Sequence, residues 1–165
     1  MSPAASPEQV VRAVTAGVGA LIAGQLDDDQ YEGLLDDLAN LYAEQTDVRH
    51  PLAPLGDTPL RTRAELRRHF AEGPGRARGA AERYDAVGQV HETADPEVVV
   101  FEFRYVGVAD GREFSLPCVF VTRVRDGLIV ESRDYLDHVG TARVFGQVRV
   151  LAEAIHPRFR SEERV

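Results

Sequence analysis

The chain has 165 residues, a formal net charge of −8 and 19 basic residues, all of which are arginine. The absence of lysine excludes Schiff-base catalysis and a phosphate-binding P-loop, since both need a lysine amine. The acidic balance argues against nucleic-acid binding, and a single cysteine excludes an intrachain disulfide framework and a multi-cysteine zinc site. With 44% hydrophobic residues, the length predicts one domain over 1–165, with a core at about 7–140.

The first part of the sequence predicts three helices. Ser6–Gln9 is a capping box with proline at the first helical position, and the acidic run 27–29 ends this helix and caps a second. The apolar residues at helical spacing are Val10, Val14, Val18, Leu21 and Ile22 in the first helix, and Tyr31, Leu34, Leu35, Leu38, Leu41 and Tyr42 in the second. Thr62–Glu65 is a further capping box, and Leu66 with Phe70 indicates a short third helix.

The rest of the chain predicts a sheet. A short strand over 46–50 precedes a proline-rich loop at 51–59. Four segments rich in Val, Phe, Tyr and Ile follow at 84–92, 98–108, 113–124 and 128–136, separated by Asp95-Pro96, Asp110-Gly111 and Asp126-Gly127. Asp-Gly between apolar runs is typical of tight hairpins, and Pro117 indicates a bulge or an edge position because it lacks a ladder donor. A last helix is predicted over 144–155 and a charged tail over 157–165.

Three helices followed by an antiparallel meander, which the early strand joins, predict a segregated α+β fold. A strongly curved sheet folded over helices encloses an interior pocket. The N-terminus lacks the basic region of a signal peptide, and the apolar stretch 14–23 is too short to span a bilayer. We therefore expect a cytoplasmic protein without a membrane partner.

Two regions resemble the nuclear transport factor 2-like superfamily, and within it the SnoaL-like polyketide cyclases and limonene epoxide hydrolases. Residues 43–54 and 62–70 are similar to the first strand, loop and third helix of these proteins. Residues 126–137, which contain Arg-Asp-Tyr-Leu-Asp, are similar to their closing strand. The resemblance implies a conical barrel of three N-terminal helices on a curved, mostly antiparallel sheet, with an interior pocket and dimerisation through the outer face of the sheet.

Asp134 is the first candidate catalytic residue. Strand alternation puts it on one face of the last strand with Leu128, Val130, Ser132 and Leu136, a mainly apolar row. A carboxyl surrounded by hydrocarbon has a raised pKa, which suits proton donation near neutral pH. The resemblance makes Asp134 the acid/base of the pocket; the alternative is a carboxylate satisfied by an arginine or by backbone donors.

His50 is the second candidate, because it ends the first predicted strand directly before Pro51. That place resembles the general-base aspartate of ketosteroid isomerase and the water-binding asparagine of limonene epoxide hydrolase. An imidazole takes or gives a proton near pH 7 with little tuning, although His50 has the alternative role of bonding the loop that follows. His50 and Asp134 together form a predicted acid/base pair, which suits enolisation, aldol cyclisation or water activation.

The apolar faces of the sheet segments predict the lining of the substrate pocket. The predicted lining residues are Phe101, Phe103, Tyr105, Leu116, Cys118 and Leu136. Cys118 has no basic neighbour in sequence, which indicates a buried, inert thiol. Tyr105 either donates a hydrogen bond to a ligand carbonyl or lies at the rim of the sheet.

The sequence departs from two members of the superfamily. Counted back from Asp134, the arginine and first aspartate of limonene epoxide hydrolase fall on Phe101 and Phe103, which cannot ionise, so that mechanism is disfavoured. The oxyanion pair of ketosteroid isomerase falls near Gly17 and Val119, so it is missing as well.

The favoured function is therefore a cofactor-independent enzyme that performs cyclisation or isomerisation by proton transfer on an apolar, oxygenated small molecule. The alternative is a non-catalytic ligand-binding or dimerisation module of the same fold. The five histidines show no metal-ligand spacing, and His69, beside two arginines, is expected to be exposed, so we predict no metal and no cofactor. The expected partners are the small molecule and a second copy of the chain, with no nucleic acid.

Overall fold

The computed structural model describes residues 4–162, and the side chains of residues 4–156. Within that part of the chain, five α-helices, one short 3-10 helix and six strands follow one another. In chain order they are α1 Pro7–Ala23, α2 Asp28–Asn40, β1 Tyr42–Arg49, β2 Leu60–Thr62, α3 Arg63–Glu72, the 3-10 helix Pro74–Ala77, β3 Arg83–Glu92, β4 Val98–Ala109, β5 Arg112–Arg125, β6 Leu128–Leu136, α4 His138–Val144 and α5 Val148–Glu162.

The helices begin where the capping residues predict. Ser6, Asp27 and Thr62 each accept a hydrogen bond from the backbone N–H three residues on, and the side chain there reciprocates. The predicted stripe of α2 was two residues too long, because the carbonyl of Leu41 accepts a 2.9 Å hydrogen bond from the Ile129 N–H. Pairing with β6 thus replaces the next helical turn, and β1 begins four residues earlier than predicted.

One six-stranded sheet runs in the order β2-β1-β6-β5-β4-β3. Strands β3 to β6 form the predicted antiparallel meander, whereas β1 lies parallel to β6. Asp110-Gly111 and Asp126-Gly127 all have positive φ, the conformation of the tight turns that Asp-Gly favours in hairpins. The predicted α+β class is therefore confirmed; the sheet is curved but does not close on itself.

Pro117 has the edge position, one of the two places predicted for it. Its register opposite Arg104 of β4 is unbroken, without a bulge, whereas the pairing of β5 with β6 covers only Cys118 to Arg125 and leaves Pro117 unpaired on that side. A bulge occurs instead on β6, where Val130 is the extra residue between two paired neighbours.

This bulge changes which residues of β6 face the helices. Ile129 is 2% exposed and shares the inner face with Ser132 and Asp134, whereas Leu128 and Val130 are only half-buried. The predicted alternation is thus correct from Ser132 onward and wrong before it. The three N-terminal helices cover this inner face, and the core contains the fully buried Leu21, Leu35, Leu38, Leu66, Phe101 and Ile129.

The C-terminal helix is divided in two. Gly146, with a φ of 67°, lies between α4 and α5, so the predicted single helix over 144–155 is interrupted. The backbone of α5 continues to Glu162, into the predicted charged tail, and residues 163–165 lie outside the described residues. Along the described chain, no helix has the length and apolar content needed to cross a membrane.

Candidate active site

Asp134 is a buried carboxyl on the inner face of β6. It is 7% exposed and lies opposite Phe120 of β5. Burial raises the pKa of Asp134 to about 7, against the smaller lowering effects of a hydrogen bond from Ser132 and the charge of Arg133. The carboxyl can therefore release and recover a proton near neutral pH.

A hydroxyl relay holds this carboxyl in place. Ser132 Oγ donates to Asp134 Oδ1 at 2.5 Å, and Thr122 Oγ1 lies 2.9 Å from Ser132 Oγ. When Asp134 is ionised, the single hydroxyl proton of Ser132 lies in its hydrogen bond to the carboxylate. Thr122 must then be the donor in the hydrogen bond between Thr122 and Ser132. The alternative of an arginine partner does not hold, because Arg133 points to the other face and bonds Asp47.

His50 directly follows β1, and its ring faces Asp134. The distance from His50 Nε2 to Asp134 Oδ2 is 3.8 Å, a close approach that is longer than a hydrogen bond. The backbone N–H of His50 donates to Asp57 Oδ1 at 2.9 Å. The contact with the loop that follows is therefore made by the backbone of His50 and not by its ring. Burial, and then the nearby His69 and His138, lower the pKa of His50 to about 4, and the imidazole is neutral at pH 7.

Two further histidines belong to this cluster, and sequence reasoning missed both. The His69 ring lies 4.8 Å from that of His50 between centroids, and burial lowers its pKa, so the expectation of an exposed His69 is wrong. The signal was its position three residues after Leu66, on the flank of the buried face of α3. His138 begins α4, and burial lowers its pKa as well.

The predicted lining residues lie on the inner face of β4, β5 and β6. Five of them are buried, namely Phe101, Phe103, Tyr105, Leu116 and Cys118, while Leu136 is half-buried. The rings of Phe101 and Phe103 stack at 4.4 Å, and Phe103 meets Phe120 edge-on at 4.9 Å. Burial raises the pKa of Cys118 to about 12, which keeps the thiol protonated.

Two cavities lie on either side of this layer. A groove of about 790 Å³ runs over the outer face of the sheet and borders Phe103, Cys118, Leu136 and His138. A cavity of about 570 Å³ is lined by residues of α1 and β3 and borders Phe101. Neither cavity borders Asp134 or His50, so the structure divides the predicted lining residues between different surfaces. Among the side chains that are described, no group of three or more His, Cys, Asp or Glu could hold a metal ion.

The curved sheet under N-terminal helices, with a carboxyl and an imidazole on its inner face, defines a nuclear transport factor 2-like domain. Its family follows from the sequence: the family model described as a SnoaL-like domain matches residues 27–132, more than half of the chain. The chain belongs to the SnoaL-like family. No curated protein matches the sequence significantly.

Solved structures agree with this fold. A proposed isomerase from Bacillus subtilis is 19% identical, with a TM-score of 0.61 over 87% of this chain and 97% of that one. A proposed polyketide cyclase from Pseudomonas putida is 17% identical, with a TM-score of 0.57 over 85% and 98%. A protein of ketosteroid isomerase-like fold from Catenulispora acidiphila, bound to trimethylamine, is 18% identical, with a TM-score of 0.57 over 86% and 95%.

Proposed function

We propose that this protein is a cofactor-independent enzyme that isomerises or cyclises an apolar, oxygenated small molecule by proton transfer. The observation that carries the proposal is the 3.8 Å approach of His50 Nε2 to Asp134 Oδ2 on the buried inner face. Membership of the SnoaL-like family, and similarity in fold to a proposed isomerase and a proposed polyketide cyclase, support the same reaction class.

The two residues have different roles in this proposal. With a pKa of about 7, Asp134 exists in both protonation states near neutral pH, which suits a group that takes a proton and returns it. With a pKa of about 4, His50 stays neutral and offers a ring N–H to a substrate oxygen. The Asp134 carboxylate takes a proton from the carbon beside a carbonyl, the C–H electron pair forms a C=C bond, and the carbonyl π pair moves to oxygen. In a substrate with a second double bond conjugated to this enolate, the oxygen pair re-forms the carbonyl, the π pairs shift along the conjugated system, and a carbon further along it takes the proton back from Asp134.

The enolisation step is tested without knowledge of the natural substrate. Exchange of the methyl protons of acetophenone in D₂O, followed by proton NMR, reports proton removal directly. We expect the wild-type chain to accelerate this exchange. In Asp134→Asn the rate of exchange should be lower by about a hundredfold or more. Asp110→Asn, at the tip of an exposed hairpin, is the matched control and keeps the activity. Unchanged exchange in Asp134→Asn would contradict the mechanism.

The rival function is a non-catalytic binding or dimerisation module of the same fold. The stacked aromatic layer on the inner face and the large groove on the outer face favour it. The non-catalytic function is favoured over the enzymatic one if the wild-type chain binds a member of a panel of ketones but accelerates proton exchange in none of them. Epoxide hydrolysis remains the least supported reaction, since Phe101 and Phe103 offer no ionisable group.

We also propose that the protein is a homodimer joined through the outer face of the sheet. Exposed apolar side chains border the groove on that face, among them Leu52, Val87, Tyr135 and Val139. A second copy covering them would remove this apolar surface from water, which is the usual driving force of association.

A further inference from the structure

Two buried tyrosines on the inner face have hydroxyls that nothing in the described chain binds. Tyr42 begins β1 and is 3% exposed, and Tyr105 on β4 is 5% exposed. Arg63 bonds the backbone carbonyl of Tyr42, but no hydrogen bond of the described residues uses either phenol oxygen. A buried hydroxyl without a partner loses its bonds to water and gains none in return, and such groups call for a specific explanation.

Both phenol oxygens border space that another atom can occupy. His138 Nε2 is the one fully enclosed side-chain polar atom without a partner among the described residues, so neither phenol oxygen is fully enclosed. The tyrosine side chains are nevertheless almost completely buried, so the accessible part of each is small. The hydroxyls can therefore meet a water or ligand oxygen inside the protein.

These tyrosines lie on strands to either side of β6, which carries Asp134. Tyr42 is on the adjacent strand β1, opposite Ile129 of β6, and Tyr105 is on β4, two strands away on the other side and opposite Leu116 of β5. Burial is the largest cause that raises the pKa of both phenols; the charge of Asp134 adds to it, directly after burial at Tyr42 and after Tyr84 and Cys118 at Tyr105. Both phenols therefore keep their protons and can only donate to an anionic oxygen. The groups that act on Asp134 are Ser132 and Arg133 from its own strand and His50 from the end of β1.

Packing holds both rings in position. Tyr42 lies 6.0 Å from Phe70 between ring centroids. Tyr105 lies 4.7 Å from Tyr84 and meets Phe103 edge-on at 5.0 Å. A donor whose ring is already fixed loses little conformational freedom when it binds a ligand, so the hydroxyls are suited to recognition.

We infer that Tyr42 and Tyr105 are substrate-binding residues that donate hydrogen bonds to one oxygen of an apolar ketone, on the inner face beside Asp134. The inference rests on the proposed function, because it takes that face as the substrate site and names the substrate class. As the enolate forms, the negative charge that develops on the oxygen strengthens both bonds. Neither tyrosine occupies the places near Gly17 and Val119 where the resemblance would put an oxyanion pair.

Three probes of one shape distinguish this class of ligand from others. Acetophenone carries the ketone oxygen, α-methylstyrene replaces that oxygen by a methylene group, and phenyltrimethylammonium carries a cation. Their dissociation constants are measured by ligand-observed NMR for the wild-type chain, Tyr42→Phe, Tyr105→Phe and the double variant. Tyr31→Phe, on α2 against Arg78, is the matched control. Circular dichroism verifies that each variant is folded.

We expect the wild-type chain to bind the ketone more tightly than the alkene. In each of the two single tyrosine variants, the ratio of the alkene to the ketone dissociation constant should fall by about three- to tenfold, the range expected for one hydrogen bond. The dissociation constant of the alkene itself should stay constant. The inference is overturned if the preference is absent, if it survives in the double variant, if neither neutral probe binds, or if the cation binds best.

The binding measurement is independent of turnover. If Asp134→Asn loses proton exchange but still binds the ketone more tightly than the alkene, both the catalytic role of Asp134 and the binding role of the tyrosines are supported. Exchange that survives in Asp134→Asn, together with a ketone preference that the tyrosines control, would overturn the proposed catalytic role and leave the binding role standing.

Discussion

Ser132 Oγ donates a 2.5 Å hydrogen bond to Asp134 Oδ1 from two residues earlier on the same face of β6. Residues two apart on a strand point to the same side, and here both are buried, so the bond forms in a region of low dielectric. The bond favours the ionised carboxylate and opposes the effect of burial, which is the larger of the two. The pKa of about 7 at Asp134 is therefore a balance between these effects.

Removal of that hydroxyl should raise the pKa of Asp134 further. In Ser132→Ala the carboxylate loses its donor while its burial is kept, so the pH profile of proton exchange moves to higher pH. Thr122→Val, which removes the donor to Ser132, should produce a smaller shift in the same direction. Carbon-13 NMR titration of the Asp134 carboxyl measures both shifts directly. Ser115→Ala, on the outer face, serves as the control, and an unmoved profile in Ser132→Ala would contradict the proposed balance.

His50 should titrate at higher pH when His69 is replaced by phenylalanine. The substitution keeps a ring beside that of His50 but removes the group whose charge is the second cause of its lowered pKa. Burial is the largest cause and persists, so the pKa should rise from about 4 without reaching the ordinary value of 6.5. Nitrogen-15 NMR of the imidazoles follows the change. His91→Phe, on exposed β3, should leave His50 unmoved, and a fall in its pKa in His69→Phe would refute the argument.

The opposite shifts at Asp134 and His50 make opposite contributions to stability as pH changes. Folding raises the pKa of Asp134 from 3.8 to about 7, so the folded state binds its proton more tightly, and this stabilisation is lost as pH rises from about 4 to 7. Folding lowers the pKa of His50 from 6.5 to about 4, so its contribution is present above pH 6.5 and is lost as pH falls toward 4. The two slopes partly cancel in the wild-type chain.

Asp134→Asn should therefore gain stability relative to the wild-type chain as pH rises from 4 to 7. The gain is at most about 4 kcal/mol, since each pKa unit corresponds to about 1.4 kcal/mol and the shift is about three units. Urea unfolding at a series of pH values measures the difference. The exposed turn variant Asp110→Asn should show no such trend, and a constant difference between Asp134→Asn and wild type would count against a buried, titrating Asp134.

Local sequence signals accounted for much of the fold. Capping residues and Asp-Gly pairs act within a few residues, so the helix starts and the hairpins could be read directly from the sequence. The end of α2 and the bulge at Val130 depend on pairing between strands distant in the chain, and no local pattern encodes them. The end of α2 explains why β1 starts earlier than predicted, and the bulge explains why Ile129 lies on the inner face.

The positions of the candidate residues were predictable to a similar degree. Asp134 and His50 each occupy a place with a local signal, and the structure brings them together. His69 meets His50 only because α3 packs beside the end of β1, a tertiary contact that helix periodicity alone does not specify. The unpartnered hydroxyl of Tyr42 was hidden for a related reason, because the extended apolar stripe assigned this residue to α2.

Close packing of α1 on β3 should make Gly19 intolerant of a side chain. A Cβ at Gly19 would lie 2.3 Å from the Tyr84 carbonyl oxygen, which is backbone and cannot rotate away. We expect Gly19→Ala to destabilise the fold by about 1–3 kcal/mol, as overpacking does. Gly33→Ala is the matched control on α2, where nothing lies within 4 Å and alanine should stabilise the helix by up to about 1 kcal/mol. Thermal unfolding measures both, and equal effects would show that α1 does not approach β3 so closely.

A charge on the outer face of the sheet should separate the proposed dimer. Val87 and Val139, 60% and 56% exposed, border the outer groove, and a glutamate at either position would have to be buried unpaired in an interface there. In Val87→Glu and Val139→Glu we expect sedimentation of an 18.2 kDa monomer, and in the wild-type chain a species of twice that mass. Val150→Glu on α5, where Val150 is 65% exposed but lies outside the groove, should remain dimeric. A wild-type monomer, or variants that stay dimeric, would exclude this face as the interface, because an unpaired buried carboxylate costs several kcal/mol.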